Sequence, residues 1–241
     1  TQRLKFRLIH TGQHFDKNMS QNFFDQLEIP LPSHNFKAGG GSQAEQTAKI
    51  MMKYENVLKK SPPRLCIVVG DVTSTMACAI VAKKENIKVA HVEAGIRSFD
   101  LTMPEEINRM VTDSITDFFF TTSKHANKNL RKNGVNRQSI VFVGNTMIDT
   151  LIKYKDSFTK PPIWGRLGLK INRYFILTMH RPSNVDNFDK IKKLLTFISK
   201  SSRGFKIIFP CHPRTKNQLK GINNLIENLI LIDPLPYLEF N

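Results

Sequence analysis

An α/β fold built on parallel sheets is what this sequence predicts. Short runs rich in Ile, Val, Leu and Phe alternate along the chain with longer segments of helical period. Several of those runs are apolar without a break, as in strands covered on both faces. The segments between them carry helix start and stop signals, and strand alternating with helix means a parallel sheet wrapped on both sides.

The predicted strands are residues 4–10, 65–70, 88–92, 117–121, 140–143, 174–179, 205–210 and 229–232. Ser42 with Glu45 forms a capping-box pattern ahead of a helix to about residue 60, stopped by Pro62-Pro63. Pro104 suits the first turn of a helix that puts Ile107, Met110, Val111 and Ser114 on one face. Thr146 with Asp149 marks a further helix start, followed by Met147, Ile148, Leu151 and Ile152. Residues 157–172 hold Pro161-Pro162, Gly165 and Gly168 and no strand, and so mark a break. A nearly complete α/β domain, 1–160, is expected before it, and the start of a second, 173–241, after it.

Composition excludes several classes. The 241 residues are 40% hydrophobic and 23% charged, which is ordinary for a globular protein and unlike a disordered, collagenous or coiled-coil chain. No run approaches the roughly 18–20 apolar residues of a membrane-spanning helix. The amino end, Leu4-Lys5-Phe6-Arg7-Leu8-Ile9, alternates with charge and lacks a signal-peptide core. Because the chain starts at Thr1 and not Met, it reads as a piece of a longer protein. Three cysteines without a CxxC pair argue against a disulfide framework or a zinc knuckle and fit the reducing cytoplasm.

Lys and Arg number 36 against 20 Asp and Glu, for a net charge of +16. That favours anionic partners without choosing among nucleic acid, acidic membranes and phosphorylated small molecules. The densest basic stretch, Lys190 to Lys206, reads as a solvated helix face. No aromatic residues interleave there as a base-stacking surface requires, so no nucleic-acid partner is expected, and no membrane partner either.

The informative pattern is where ionisable residues fall. Asp71 follows the strand ending at Gly70, Glu93 follows Val92, His180 follows Met179, and His212 lies two residues past Pro210. Each stands just beyond the carboxyl end of a predicted strand, the edge of an open parallel sheet where ligands bind. Adjacent strands lie about 4.8 Å apart, so such residues can converge on one small molecule.

Each has a plainer reading. Asp71 could cap the helix that follows it. Glu93 could form a buried salt bridge with Arg97. Glu105 and Glu106 sit in a first turn, where carboxylates suit the macrodipole. His180 with Arg181, and His212 with Arg214, suit a phosphate; His14, His34 and His125 lack such context and read as surface residues. A Glu/His metal site lacks the usual ligand spacing, so no metal is expected. Gly39-Gly40-Gly41 before Ser42 is neither GxGxxG nor a P-loop and reads as a flexible connection. Taken alone, these residues describe an enzyme with paired carboxylates, two histidines and a basic side, suited to acid/base chemistry on a phosphorylated ligand.

Several segments carry a family resemblance. Thr11-Gly12-Gln13-His14, Gly70-Asp71, His91-Val92-Glu93-Ala94-Gly95-Ile96-Arg97-Ser98, Met103-Pro104-Glu105-Glu106-Ile107-Asn108-Arg109 and Gly144-Asn145-Thr146 come in order. Thr178-Met179-His180-Arg181, Asn184-Val185-Asp186, Pro210-Cys211-His212-Pro213-Arg214 and Ile232-Asp233-Pro234 follow. Together they resemble the non-hydrolysing UDP-N-acetylglucosamine 2-epimerases over essentially the whole chain.

The resemblance implies two Rossmann-like domains of GT-B type with parallel sheets, the second incomplete and UDP-binding, and an active site between them. It implies an isomerase that interconverts UDP-N-acetylglucosamine and UDP-N-acetylmannosamine with no cofactor, by eliminating UDP to 2-acetamidoglucal and adding it back with inversion at C2. Asp71, Glu93 and Glu105 match the family's essential carboxylates and His180 its essential histidine. Arg109, Arg181 and His212 match anion or orienting contacts, and Phe240 the position that packs against uracil. A cytoplasmic homodimer is implied for the full-length protein. The family's opening Gly-Thr-Arg-Pro-Glu loop and its later Ser-Gly-Gly segment are not in this sequence, so the piece itself is expected to be inactive. A sister epimerase acting on a UDP-diacetamido-uronate, a GT-B glycosyltransferase and a basic binding module are the competing readings.

Overall fold

A computed structural model describes residues 5–13, 23–179, 187–211, 213–219, 221–222 and 226–241. The chain divides into two compact units, Thr1–Lys155 and Asp156–Asn241.

In the first unit, β1 (Ile9–His10) pairs in parallel with β2 (His34–Asn35). Helix α1 (Gln43–Lys60) opens with the expected capping box. The Ser42 N–H donates to Glu45 Oε2 at 2.7 Å, and the Glu45 N–H donates to Ser42 Oγ at 3.2 Å. The glycine run serves that cap: Gly41 has a φ of 81°, and a Cβ there would lie 2.5 Å from Glu45 Oε2. Then follow β3 (Leu65–Val69), α2 (Thr73–Lys84), β4 (Lys88–Val92), α3 (Pro104–Ile115), β5 (Phe118–Thr121), α4 (Lys124–Lys132), β6 (Ile140–Phe142) and α5 (Thr146–Tyr154). The strands β3-β4-β5-β6 form one parallel sheet in that order. The α5 N-cap is Asn145, one residue before the Thr146 that the spacing predicts, and its side chain accepts from the Met147 N–H at 2.9 Å.

The main core lies where α1 and α2 pack on this sheet. It holds Ile50, Tyr54, Leu58, Cys66, Val68, Ala77, Ala79, Ala82 and Val89. Small residues along α2 let it bury almost its whole length there. Strand β3 departs from the expectation of two covered faces. It buries Cys66 and Val68 but leaves Leu65, Ile67 and Val69 exposed. The first and sixth predicted strands are also shorter than expected.

The second unit holds α6 (Pro162–Arg166), β7 (Tyr174–Ile176), α7 (Phe188–Ser201), β8 (Lys206–Pro210), α8 (Pro213–Gln218), β9 (Leu229–Ile232) and α9 (Tyr237–Phe240). Its strands β7-β8-β9 form a parallel sheet. Ile191, Leu195, Ile207, Phe209, Leu219 and Leu229 fill its core. Among the described residues, no helix is long and apolar enough to cross a membrane. All three cysteines are buried and free.

Candidate active site

The carboxyl ends of β3 and β4 stand side by side. Val69 is in register with Val92, and the Gly70 N–H donates to the Val92 carbonyl at 3.0 Å. Glu93 is therefore the first residue past β4 and Asp71 the second past β3, on two neighbouring strands. A Cβ placed on Gly70 would lie 3.9 Å from Glu93 Oε2, so the Glu93 carboxylate turns toward the residue preceding Asp71.

Asp71 does not cap α2. The N-cap there is Val72, with no side-chain cap. The Asp71 carboxylate instead accepts from Arg109 Nη2, and its carbonyl accepts from Asn108 Nδ2 at 2.9 Å. Both donors come from α3, so the helix is fastened over the end of β3. Glu105 lies four residues before Arg109 on that helix, on the same side of it, and is partly exposed.

Glu93 has a φ of 71°, in the left-handed region that side-chain-bearing residues seldom occupy. The next turn holds it there. The Ala94 N–H donates to the Phe120 carbonyl at 3.1 Å, the Gly95 N–H to Asp113 Oδ2 at 3.0 Å, and Asn129 Nδ2 to the Gly95 carbonyl at 2.9 Å. Position 95 must be glycine: a Cβ there would meet the Ala126 carbonyl oxygen at 2.6 Å. Strain held by so many bonds is a feature of functional sites.

Arg97 is not the partner of Glu93. Its Nη2 pairs with Asp113 Oδ2 at 2.7 Å, which removes the structural salt bridge as an account of Glu93. Asp113 also meets His91, which is fully buried: Nδ1 lies 2.7 Å from Asp113 Oδ1 and Nε2 2.8 Å from the Gly70 carbonyl. His91 thus locks the turn before Asp71, its own strand β4 and helix α3 together.

Helix α3 buries a different face from the one its apolar period predicts. Glu106, Asn108, Thr112 and Asp113 are buried, whereas Ile107 and Met110 are 48% and 46% exposed. The reason is that Glu106, Asn108 and Asp113 each find bonding partners in other parts of the chain. Glu106 accepts from the Ser98 N–H (2.9 Å), Ser98 Oγ (3.1 Å), the Phe99 N–H (3.3 Å) and Arg109 Nη1 (3.1 Å). Burial alone would push its carboxyl up. The bonds from Ser98, Arg109 and Phe99 outweigh that and hold it below the ordinary carboxylate range.

Of the residues singled out from sequence, Asp71, Glu93 and Arg109 come together in the first unit, with Glu105 one turn from Arg109. Phe240 is half-buried in α9 of the second unit, its N–H donating to the Pro236 carbonyl at 2.9 Å. His180, Arg181 and His212 lie outside the described residues. The sequence reading missed the supporting roles of His91, Asn108 and Asp113. Two of them stand inside quoted motifs, but only tertiary partners reveal what they do. Among the described residues, no cluster of three or more His, Cys, Asp or Glu could hold a metal ion.

Comparison with known proteins agrees with this geometry. The family model described as UDP-N-acetylglucosamine 2-epimerase matches residues 1–241. A UDP-N-acetylglucosamine 2-epimerase of Methanococcus maripaludis is 42% identical over 246 residues, covering 98% of this chain and 67% of its own. A UDP-2,3-diacetamido-2,3-dideoxy-D-glucuronate 2-epimerase of Pseudomonas aeruginosa is 37% identical over 236 residues, covering 96% and 65%. The crystal structure of Methanocaldococcus jannaschii UDP-GlcNAc 2-epimerase in complex with UDP-GlcNAc and UDP matches with a TM-score of 0.86 at 39% identity, covering 99% of this chain and 68% of that one. The chain thus spans about two thirds of the length of these relatives. Two Rossmann-like units with parallel sheets are the fold class of the GT-B type. With strand-end carboxylates, the HVEAG turn and the PEEINR helix in one site, and a family model matched from end to end, the chain belongs to the UDP-N-acetylglucosamine 2-epimerase family.

Proposed function

We propose that the protein carrying this chain interconverts UDP-N-acetylglucosamine and UDP-N-acetylmannosamine. The C2 proton of the sugar is not next to a carbonyl and is weakly acidic. Direct abstraction is therefore poor, and elimination is the better route. A carboxylate takes the C2 proton, the C1–O bond to UDP breaks, and a C1=C2 double bond forms in 2-acetamidoglucal. UDP then re-adds at C1 while a proton reaches C2 from the opposite face. No electrons are lost or gained, so no redox cofactor is called for. The chemistry asks for proton-handling groups on two faces and for an intermediate held beside its leaving group.

The observation that carries the reading is the placement of Asp71 and Glu93 just past the ends of adjacent strands, with Arg109 on the first of them. In this proposal these two carboxylates move the proton. Glu105 serves as a third acid/base or positioning group. His180 stabilises the leaving UDP, Arg181 and His212 contact its phosphates, and Phe240 packs on uracil. Arg109 is engaged by Asp71 and Glu106, which supports an orienting role over a phosphate contact. A cytoplasmic homodimer belongs to the same proposal, and light scattering on the full-length protein tests the dimer.

The 37% identity to a diacetamido-uronate epimerase makes that sugar the competing substrate. The full-length protein, offered UDP-N-acetylglucosamine and the UDP-diacetamido-uronate in separate assays followed by proton NMR, is expected to epimerise the first faster. Turnover of the uronate alone, or of neither sugar, overturns the proposal.

A further inference from the structure

Glu106 is 1% exposed, far more deeply placed than a first-turn carboxylate needs to be to favour a helix dipole. A buried charge is costly unless it is paired and fully hydrogen-bonded, and Glu106 is both. Three of its four bonds come from Ser98 and Phe99, and Phe99 is held at a φ of 59°. The fourth comes from Arg109, whose second nitrogen, Nη2, reaches Asp71. A guanidinium is a rigid planar fork, so fixing Nη1 on Glu106 fixes the direction in which Nη2 points. The Asp71 backbone is held separately through Asn108. What remains to be set at Asp71 is the orientation of its carboxylate.

We propose that Glu106 is a positioning residue: it joins the 98–99 turn and the Arg109 guanidinium into one rigid unit, and that unit aims the Asp71 carboxylate. The proposal rests on the reading of Asp71 as a proton-transfer group. Glu106 acts through Arg109 and does not itself meet the sugar.

The test uses the full-length protein. Glu106→Gln keeps the shape but offers one neutral oxygen in place of a carboxylate, so Arg109 loses the charge that fixes Nη1 and keeps only Asp71 as an anionic partner. The expected result is a kcat lower by on the order of 10- to 100-fold with a KM for UDP-N-acetylglucosamine within about twofold of wild type. In an Arg109→Ala background the same substitution is expected to lower kcat no further, because the two residues act as one unit. An unchanged kcat in Glu106→Gln, or losses that multiply in the double variant, overturns the proposal. Should Glu106→Gln fail to fold, Glu106→Asp, which keeps the charge but draws it back by one methylene, carries the same comparison. A crystal structure of the folded variant decides the matter without turnover: Arg109 displaced from Asp71 supports the proposal, and Arg109 still on Asp71 overturns it. A wild-type protein with no epimerase activity would defeat the functional reading and leave that structural comparison standing.

Discussion

Arg109 bridges two carboxylates, donating through Nη2 to Asp71 at the end of β3 and through Nη1 to buried Glu106 on its own helix. Asp71 is thereby held in direction and place without being sealed from solvent, since its side chain remains 31% exposed. Replacing Asp71 by Asn leaves an acceptor for Arg109 but removes the proton-transfer group. The expected outcome for Asp71→Asn in the full-length protein is a kcat lower by roughly 10²–10⁴-fold, with a melting temperature close to wild type. Near-wild-type turnover would remove Asp71 from the chemistry.

Glu93 sits at a φ of 71°, at the expense of backbone ease. Asn tolerates that conformation better than Glu does. Glu93→Asn is therefore expected to melt no lower than wild type while losing at least about 10²-fold in kcat. A variant that melts markedly lower yet remains active would mean that the carboxylate holds the fold and not the reaction.

Asp113 holds the turn that follows Glu93. It accepts from the Gly95 N–H and pairs with both His91 and Arg97, all with little or no exposure. Asp113→Ala would leave two buried basic side chains without their partner. Urea denaturation is expected to show a loss of about 3–5 kcal/mol. A loss under about 1 kcal/mol would show that the network is not structural.

Much of this was legible in the sequence, for reasons that differ between residues. The Ser42/Glu45 cap is local, so spacing alone reveals it. Asp71 and Glu93 are legible because strand ends define an edge, and the register of Val69 with Val92 brings them together. The buried face of α3 was not legible. Hydrophobic period points to Ile107 and Met110, yet the helix buries Glu106, Asn108 and Asp113 against Ser98, Asp71 and His91, partners that no local window contains. For the same reason, nearness in sequence suggests Glu93 for Arg97, while the fold supplies Asp113.

Glu106 and Asp117 also make stability depend on acid. Burial works against both charged forms, but hydrogen bonds outweigh it: Ser98, Arg109 and Phe99 for Glu106, Lys83 and the Val89 N–H for Asp117. Both folded-state values lie below the ordinary 4.5 and 3.8, so the unfolded chain binds more protons in that range and stability rises with pH there. The contribution is fully present above those ordinary values and is lost as pH falls through the lowered ones. Thermal unfolding between about pH 3 and 7 is expected to show this fall, and Glu106→Gln to show a shallower one. Parallel curves for variant and wild type would contradict it.

The central claim is that the hydrogen at C2 of the sugar is removed and a proton that exchanges with solvent is added at the other face. The most direct measurement is proton NMR of the full-length protein turning over UDP-N-acetylglucosamine in heavy water. Deuterium at C2 of the UDP-N-acetylmannosamine formed is the predicted result. Product that keeps its original hydrogen at C2 would contradict the account.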